Sequence, residues 1–210
     1  MKNKNSCGVS NKVLKKIIST IILPVTDIIN YSLTSGCIPQ FMKTSKIIPL
    51  YKNGDSTLPE NYRPISLLST FSKILEKTVE SQLRDYLESG NILFENQFGF
   101  RRGHTTTHAV AKLLNQISKA SMKSEKSVVV FLDLKKAFDT CDHGVLLYKM
   151  NYYGIDGIEL QWFQNYLHKR RHLIEYLGNR STWQEMICGI PQGSILGPLL
   201  FLIYCNDIHR

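Results

Sequence analysis

The chain has 210 residues, enough for one substantial core or two small subdomains sharing an interface. Its 26 Lys+Arg against 17 Asp+Glu leave a formal charge of +9, which favours a polyanionic partner, nucleic acid before others. An apolar fraction of 43% argues against disorder, and the 5 cysteines, with no C-x-x-C pair, argue for a reduced intracellular protein, cytoplasmic or nuclear.

Met1–Ser6 lacks an apolar signal-peptide core, and Ile17–Val25 is too short to span a bilayer, so no membrane partner is expected. Residues 11–22 read as the remnant of a helix. A second helix is expected over 25–34, with Pro24 at its start and Gly36 just past its end. Lys46–Tyr51 reads as a short strand closed by the turn Lys52-Asn53-Gly54-Asp55. The spacing of Phe71, Ile74, Leu75, Val79, Leu83, Tyr86 and Leu87 predicts a helix ended by Ser89-Gly90. Another helix follows Thr105-Thr106-Thr107, with Val110, Leu113, Leu114 and Ile117 inward. His104/His108 and His168/His172 have helical i,i+4 spacing, but no nearby Glu or Cys completes a zinc site.

Val128-Val129-Val130-Phe131-Leu132 reads as a strand buried on both faces, and Asp133 ends it. An unpaired carboxylate there is costly unless water, a cation or a metal meets it. A plain turn out of the sheet and a metal ligand are both open on the residues alone. Helices are expected near 143–153 and 157–168, then a hairpin of His172–Leu177 with Thr182–Cys188 around Gly178-Asn179. A helical period returns from Ile195 through Tyr204. The fold class is α+β, helix-rich early and centred later on a short antiparallel sheet packed with helices.

Five blocks carry a resemblance: Gly36…Pro39…Lys43…Ile48–Lys52; Asn61-Tyr62-Arg63-Pro64-Ile65-Ser66-Leu67; Gln97-Phe98-Gly99-Phe100-Arg101; Phe131–Asp139; and Gly189-Ile190-Pro191-Gln192-Gly193-Ser194. In this order they resemble the reverse transcriptase domain of non-long-terminal-repeat (LINE-like, jockey-type) retrotransposons, over roughly residues 25–208. The resemblance implies a right-hand polymerase with a fingers-like region at 25–125 and a palm at 126–210, after an extension at 1–24. It implies an RNA-directed DNA polymerase with an RNA template, a DNA primer, dNTPs and two magnesium ions. Asp133 would bridge the metals, helped by the backbone carbonyl of Leu134. Lys52, Arg63, Phe138, Gln192 and Gly193 would bind the nucleotide: Arg63 and Lys52 as phosphate cations, Phe138 beneath the sugar. Arg101 and Arg102 would meet template or primer phosphate, and Asp139 is expected to serve a local turn.

The family's second acidic block, an aromatic-x-Asp-Asp hairpin, is expected soon after Tyr204-Cys205-Asn206-Asp207, yet the chain has no Asp-Asp pair. With the thumb also missing, the expectation is a C-terminally truncated fragment with an incomplete palm. By itself such a fragment should be inactive and prone to aggregate. The rival readings are a non-catalytic nucleic-acid-binding relic, or a structural or interaction protein that keeps the fold.

Overall fold

A computed structural model describes residues 11–134 and 136–209; Met1–Ser6, read above for a signal peptide, lies outside them. Helix α1 runs from Asn11 to Ser35 with Pro24 inside it, so one helix replaces the two expected segments and crosses the boundary drawn at residue 24. Proline removes one helical hydrogen bond, and the turns on either side carry the helix through. The apolar stretch is therefore longer than Ile17–Val25: over Lys12–Ser35 the helix is long and apolar enough to cross a membrane, by length and composition alone. Its C-terminal half packs on protein, with Ile29 buried and the Trp162 indole donating to Ser32 Oγ at 3.1 Å.

Strand β1 (Thr44–Tyr51) forms an antiparallel hairpin with β2 (Tyr62–Leu68). Pro64 disfavours a strand reading of β2, yet it sits directly opposite Pro49, a pairing that fits where neither residue donates across the ladder. Helix α2 (Thr70–Ser89) follows, with Ser69 Oγ accepting from the Ser72 amide at 3.0 Å. Helix α3 (Thr106–Met122) forms after Thr105 as the sequence indicates, but its apolar stripe is not buried, and Val110 and Leu114 are exposed. A helix whose stripe meets no packed neighbour keeps its period without a core to face.

The largest departure concerns residues 128–134. They form no strand, and Val128, Val130, Phe131 and Leu132 are 76–88% exposed. Valine favours an extended backbone, but a strand also needs a neighbour for its N–H and C=O groups, and no strand pairs with this run among the described residues.

Helices α4 (His143–Tyr152) and α5 (Gly157–Leu167) lead into β3 (Arg171–Tyr176), β4 (Asn179–Arg180) and β5 (Gln184–Glu185), then α6 (Gly197–Cys205). β3 pairs antiparallel with β4 and β5, which gives the expected hairpin. It also pairs parallel with β1, so the sheet is mixed, ordered β2-β1-β3-β4, and unites both halves of the chain. The core lies among α1, α2, α4, α5 and α6, where Leu87, Leu146, Met150, Leu196, Leu199, Leu200 and Ile203 have no exposed surface. Each such side chain contributes about 1.5–3 kcal/mol by leaving water.

Candidate active site

The segment 189–196 joins β5 to α6 and is held from several sides. The Gly189 amide donates to Cys141 O and the Ile190 amide to Phe138 O, both at 2.7 Å. His143 Nε2 donates to Gly189 O at 2.7 Å. Gly189 has φ +84°, and a Cβ there would lie 2.7 Å from Asp139 O. On the opposite side the Ser66 amide of β2 donates to Gln192 O at 2.7 Å. Gly193, at φ +108°, lies so close that a Cβ would sit 2.9 Å from Ser66 O. Only glycine permits this approach without strain.

Two carboxylates complete the clamp. Glu76 of α2 is 1% exposed and accepts from the Ile195 amide at 2.7 Å and from Tyr166 Oη at 2.7 Å. It supplies a partner for a backbone donor at the entrance of α6, where the N-cap Leu196 offers no side-chain acceptor and Ser194 Oγ accepts from the Gly197 amide at 3.0 Å. Burial pushes the Glu76 carboxyl up, opposed by Arg170 and these hydrogen bonds; burial and then the Glu76 charge push the Tyr166 phenol well above its ordinary value. Arg170 lies over the Tyr166 ring at 4.6 Å and donates through Nη1 to Tyr166 O, while its buried Nη2 finds no partner among the described residues. The second carboxylate is Asp139, whose Oδ1 accepts from Gln192 Nε2 at 2.8 Å.

Phe138 stacks on Phe201 of α6 with centroids 4.8 Å apart and meets Phe100 edge-on at 6.1 Å. Four of the five sequence blocks are thus joined by direct contact: Ser66 with Gln192, Gln192 with Asp139, and Phe138 with Phe100. The fifth, on β1, is joined through the β1–β2 ladder, where Leu50 faces Arg63. Lys52 and Arg63 are both exposed at the free end of that hairpin, and the Lys52 amide bonds Asn61 O at 2.9 Å. Arg101 is committed to a fork on Glu88 (2.7 and 3.3 Å) and to Phe94 O, whereas Arg102 is exposed beside Asp85. Asp133 and Leu134 are exposed on the extended segment.

That placement limits metal chemistry. The reverse transcriptase family generally uses divalent metal ions, but among the described residues no three His, Cys, Asp or Glu side chains are grouped to hold one. Two ions sharing one exposed carboxylate and one carbonyl would lack the negative ligands that a paired centre needs, so the described residues alone do not fit a two-metal centre. A cavity of about 460 Å³ lies elsewhere, between α1, α2 and α5, and is lined by Leu33, Val79, Leu83, Tyr86, Trp162 and Phe163. Its lining, which also includes Gln82, Asp156 and Glu159, shares no residue with the clamp.

The profile of the family described as "Reverse transcriptase (RNA-dependent DNA polymerase)" matches residues 50–210. This chain belongs to that family. It is 35% identical over 208 residues to the "Probable RNA-directed DNA polymerase from transposon BS" of Drosophila melanogaster, covering 96% of this chain and 22% of that protein. It is 32% identical to the X-element polymerase of the same fly over 96% of this chain, and 32% identical to the "RNA-directed DNA polymerase from mobile element jockey" over 86%. The chain therefore spans about a fifth of the length of these relatives, 22%, 22% and 20% respectively.

Glu76 lies outside the five blocks, and neither the Ser66 contact nor the bond of Asp139 to Gln192 is marked in the sequence. For Glu76 a signal exists: Glu76, Glu80 and Arg84 recur at i,i+4 beside Leu75, Val79, Leu83 and Leu87, which places them on the inward face of α2. Asp139 and Gln192 lie 53 residues apart, and no local pattern joins them.

Proposed function

We propose that this chain forms the nucleotide-binding part of an RNA-directed DNA polymerase from a mobile element, which extends a DNA primer on an RNA template. The observation that carries the reading is the gathering of Ser66, Phe100, Phe138, Asp139 and Gln192 around one clamped segment. In this reading residues 25–125 act as fingers and 126–210 as part of the palm of a right-hand polymerase. Arg63 would grip the triphosphate with its planar fork of donors, with Lys52 as a second cation. Arg102, and Arg101 if it leaves Glu88, would meet template or primer phosphate. The Phe138 ring would crowd a ribose 2′-hydroxyl, and Gln192 and Gly193 would flank the new base pair.

The bond formed joins the primer 3′-oxygen to the α-phosphorus, and the bond broken releases pyrophosphate. Magnesium ions would supply charge neutralisation for that chemistry when bound, and Asp133 is the carboxylate this chain offers them.

Primer extension with dTTP on poly(rA)·oligo(dT), using the product of the complete reading frame that encodes this chain, tests the proposal. The expected result is RNA-templated synthesis that R63A slows by about 100-fold, the scale for losing a preorganised donor at developing charge. No extension by the unaltered protein would refute it. The exposure of Asp133, without grouped carboxylates among the described residues, favours a second reading: a basic nucleic-acid-binding relic. Binding that falls steeply with salt, without any extension, would select that one.

A further inference from the structure

We infer that Asp139 is a positioning residue, whose carboxylate fixes the orientation in which the Gln192 amide meets the incoming nucleotide. The inference rests on the polymerase reading above and extends it to a residue expected from the sequence to serve only a local turn. An ionised carboxylate offers acceptors alone, so the Gln192 group facing it must be the NH2 end. The 2.8 Å bond from Nε2 to Asp139 Oδ1 leaves Oε1 as an acceptor with no partner among the described residues. An apolar side chain at 139, with no acceptor for Nε2, would let the amide turn over and offer either end.

The surroundings make this an anchored contact. Gln192 is tied at its backbone, since its carbonyl accepts from Ser66, and at its tip by Asp139. Asp139 is in turn held by its own amide on Lys136 O at 2.7 Å and by the close seating of Gly189 on its carbonyl. Cys188 Sγ donates to the same carbonyl at 3.5 Å. Both ends of the Asp139–Gln192 bond thus rest on backbone that other contacts have fixed. A long, flexible glutamine side chain held in advance binds its ligand without first having to be ordered.

The test compares D139A, D139L, D139N, Q192A and D139A/Q192A in the product of the complete reading frame. D139A is expected to raise the KM for dNTP about tenfold with kcat within about twofold, the scale for losing one charge-assisted hydrogen bond. D139L, closer in volume, should behave alike and carries the comparison if the alanine variant does not fold. D139N retains an acceptor oxygen beside a new donor, so it should recover KM only in part, to within about threefold of the parent. The double variant should be no worse than Q192A, because two residues acting as a unit are not additive. A D139N as impaired as D139A, or an additive double variant, would overturn the inference.

Side-chain 15N resonances of Gln192 in the same proteins, assigned by their loss in Q192A, separate the two levels. The parent and D139N should share a protected Gln192 amide that D139A loses. If the parent enzyme incorporates dNTP and D139A changes neither KM nor the amide, this inference alone falls. If the parent incorporates nothing, the polymerase reading falls and takes the inference with it, even with the amide contact intact.

Discussion

Two apolar stretches of this chain have opposite fates. Leu199, Leu200, Leu202 and Ile203 on α6 are 0–2% exposed, packed beneath the clamp that holds Gln192. Val128, Val130, Phe131 and Leu132 are comparably apolar and stand in water. The difference is partnership. A helix satisfies its own backbone and needs only a face to cover, whereas an extended run needs a neighbour for every hydrogen-bonding group. Hydrophobic composition sets what can be buried; topology sets what is.

The sharpest way to break this contrast is to truncate one member of each stretch. L199A is expected to cost about 3–5 kcal/mol in urea denaturation, through lost burial and the cavity left behind. L132S should change stability by no more than about 0.5 kcal/mol and should reduce aggregation by shrinking an exposed apolar patch. Equal losses at the two sites would show that 128–132 is packed after all.

Next in size is the polar interior. E76A strands the Ile195 amide and the Tyr166 hydroxyl, and should cost about 2–4 kcal/mol. E76Q keeps one acceptor oxygen and removes a buried charge, so it should cost less. Because burial raises the Glu76 pKa above its unfolded value of about 4.5, folding favours the protonated form. The penalty for that charge is absent below the unfolded value and grows as pH rises towards the folded one. Stability curves of the parent and E76Q should therefore shift relative to one another across that interval, with the parent losing ground as pH rises.

A smaller effect distinguishes the two neighbouring arginines. R101A loses the fork on Glu88 and the bond to Phe94 O, and should cost about 1–2 kcal/mol; R102A, at an exposed pair, about 0–0.5. The hydrogen bond from Arg101 leads the causes that hold the Glu88 carboxyl below its usual range. That stabilisation is full above the unfolded value and fades as pH falls through the lower folded one. Melting temperatures of the parent and R101A should converge in acid as the Glu88 part is lost. Smallest is the cap of α4: D142A removes the bond to the Val145 amide and should cost about 1 kcal/mol by thermal melting.

Helices α2 to α6 were legible because a 3.6-residue period and Ser, Thr or Asp before a run are local signals. β2 was hidden by Pro64, and the parallel pairing of β1 with β3 joins residues over 120 positions apart, beyond any window a period covers. At the site, Phe138, Gln192 and Gly193 could be named from the blocks they share with a family, and the structure brings them to one segment. What holds them there could not be read in the same way. Glu76 stands among apolar neighbours whose pattern it does not disturb, and the partners of Asp139 and Ser66 are set by tertiary approach. Asp133 stands apart from both groups: five apolar residues predict its strand, and the pairing that would make a strand of them is not among the described residues.

The claim beneath all of this is that a deoxynucleotide sits against the clamped segment. Photolabelling with a dNTP bearing a photoreactive base, in the presence of a primer–template, tests it most directly when the labelled peptides are mapped. The account predicts label on peptides holding Phe138 or Gln192, reduced by excess unmodified dNTP. Label confined to the cavity between α1, α2 and α5, or none that dNTP displaces, would contradict it.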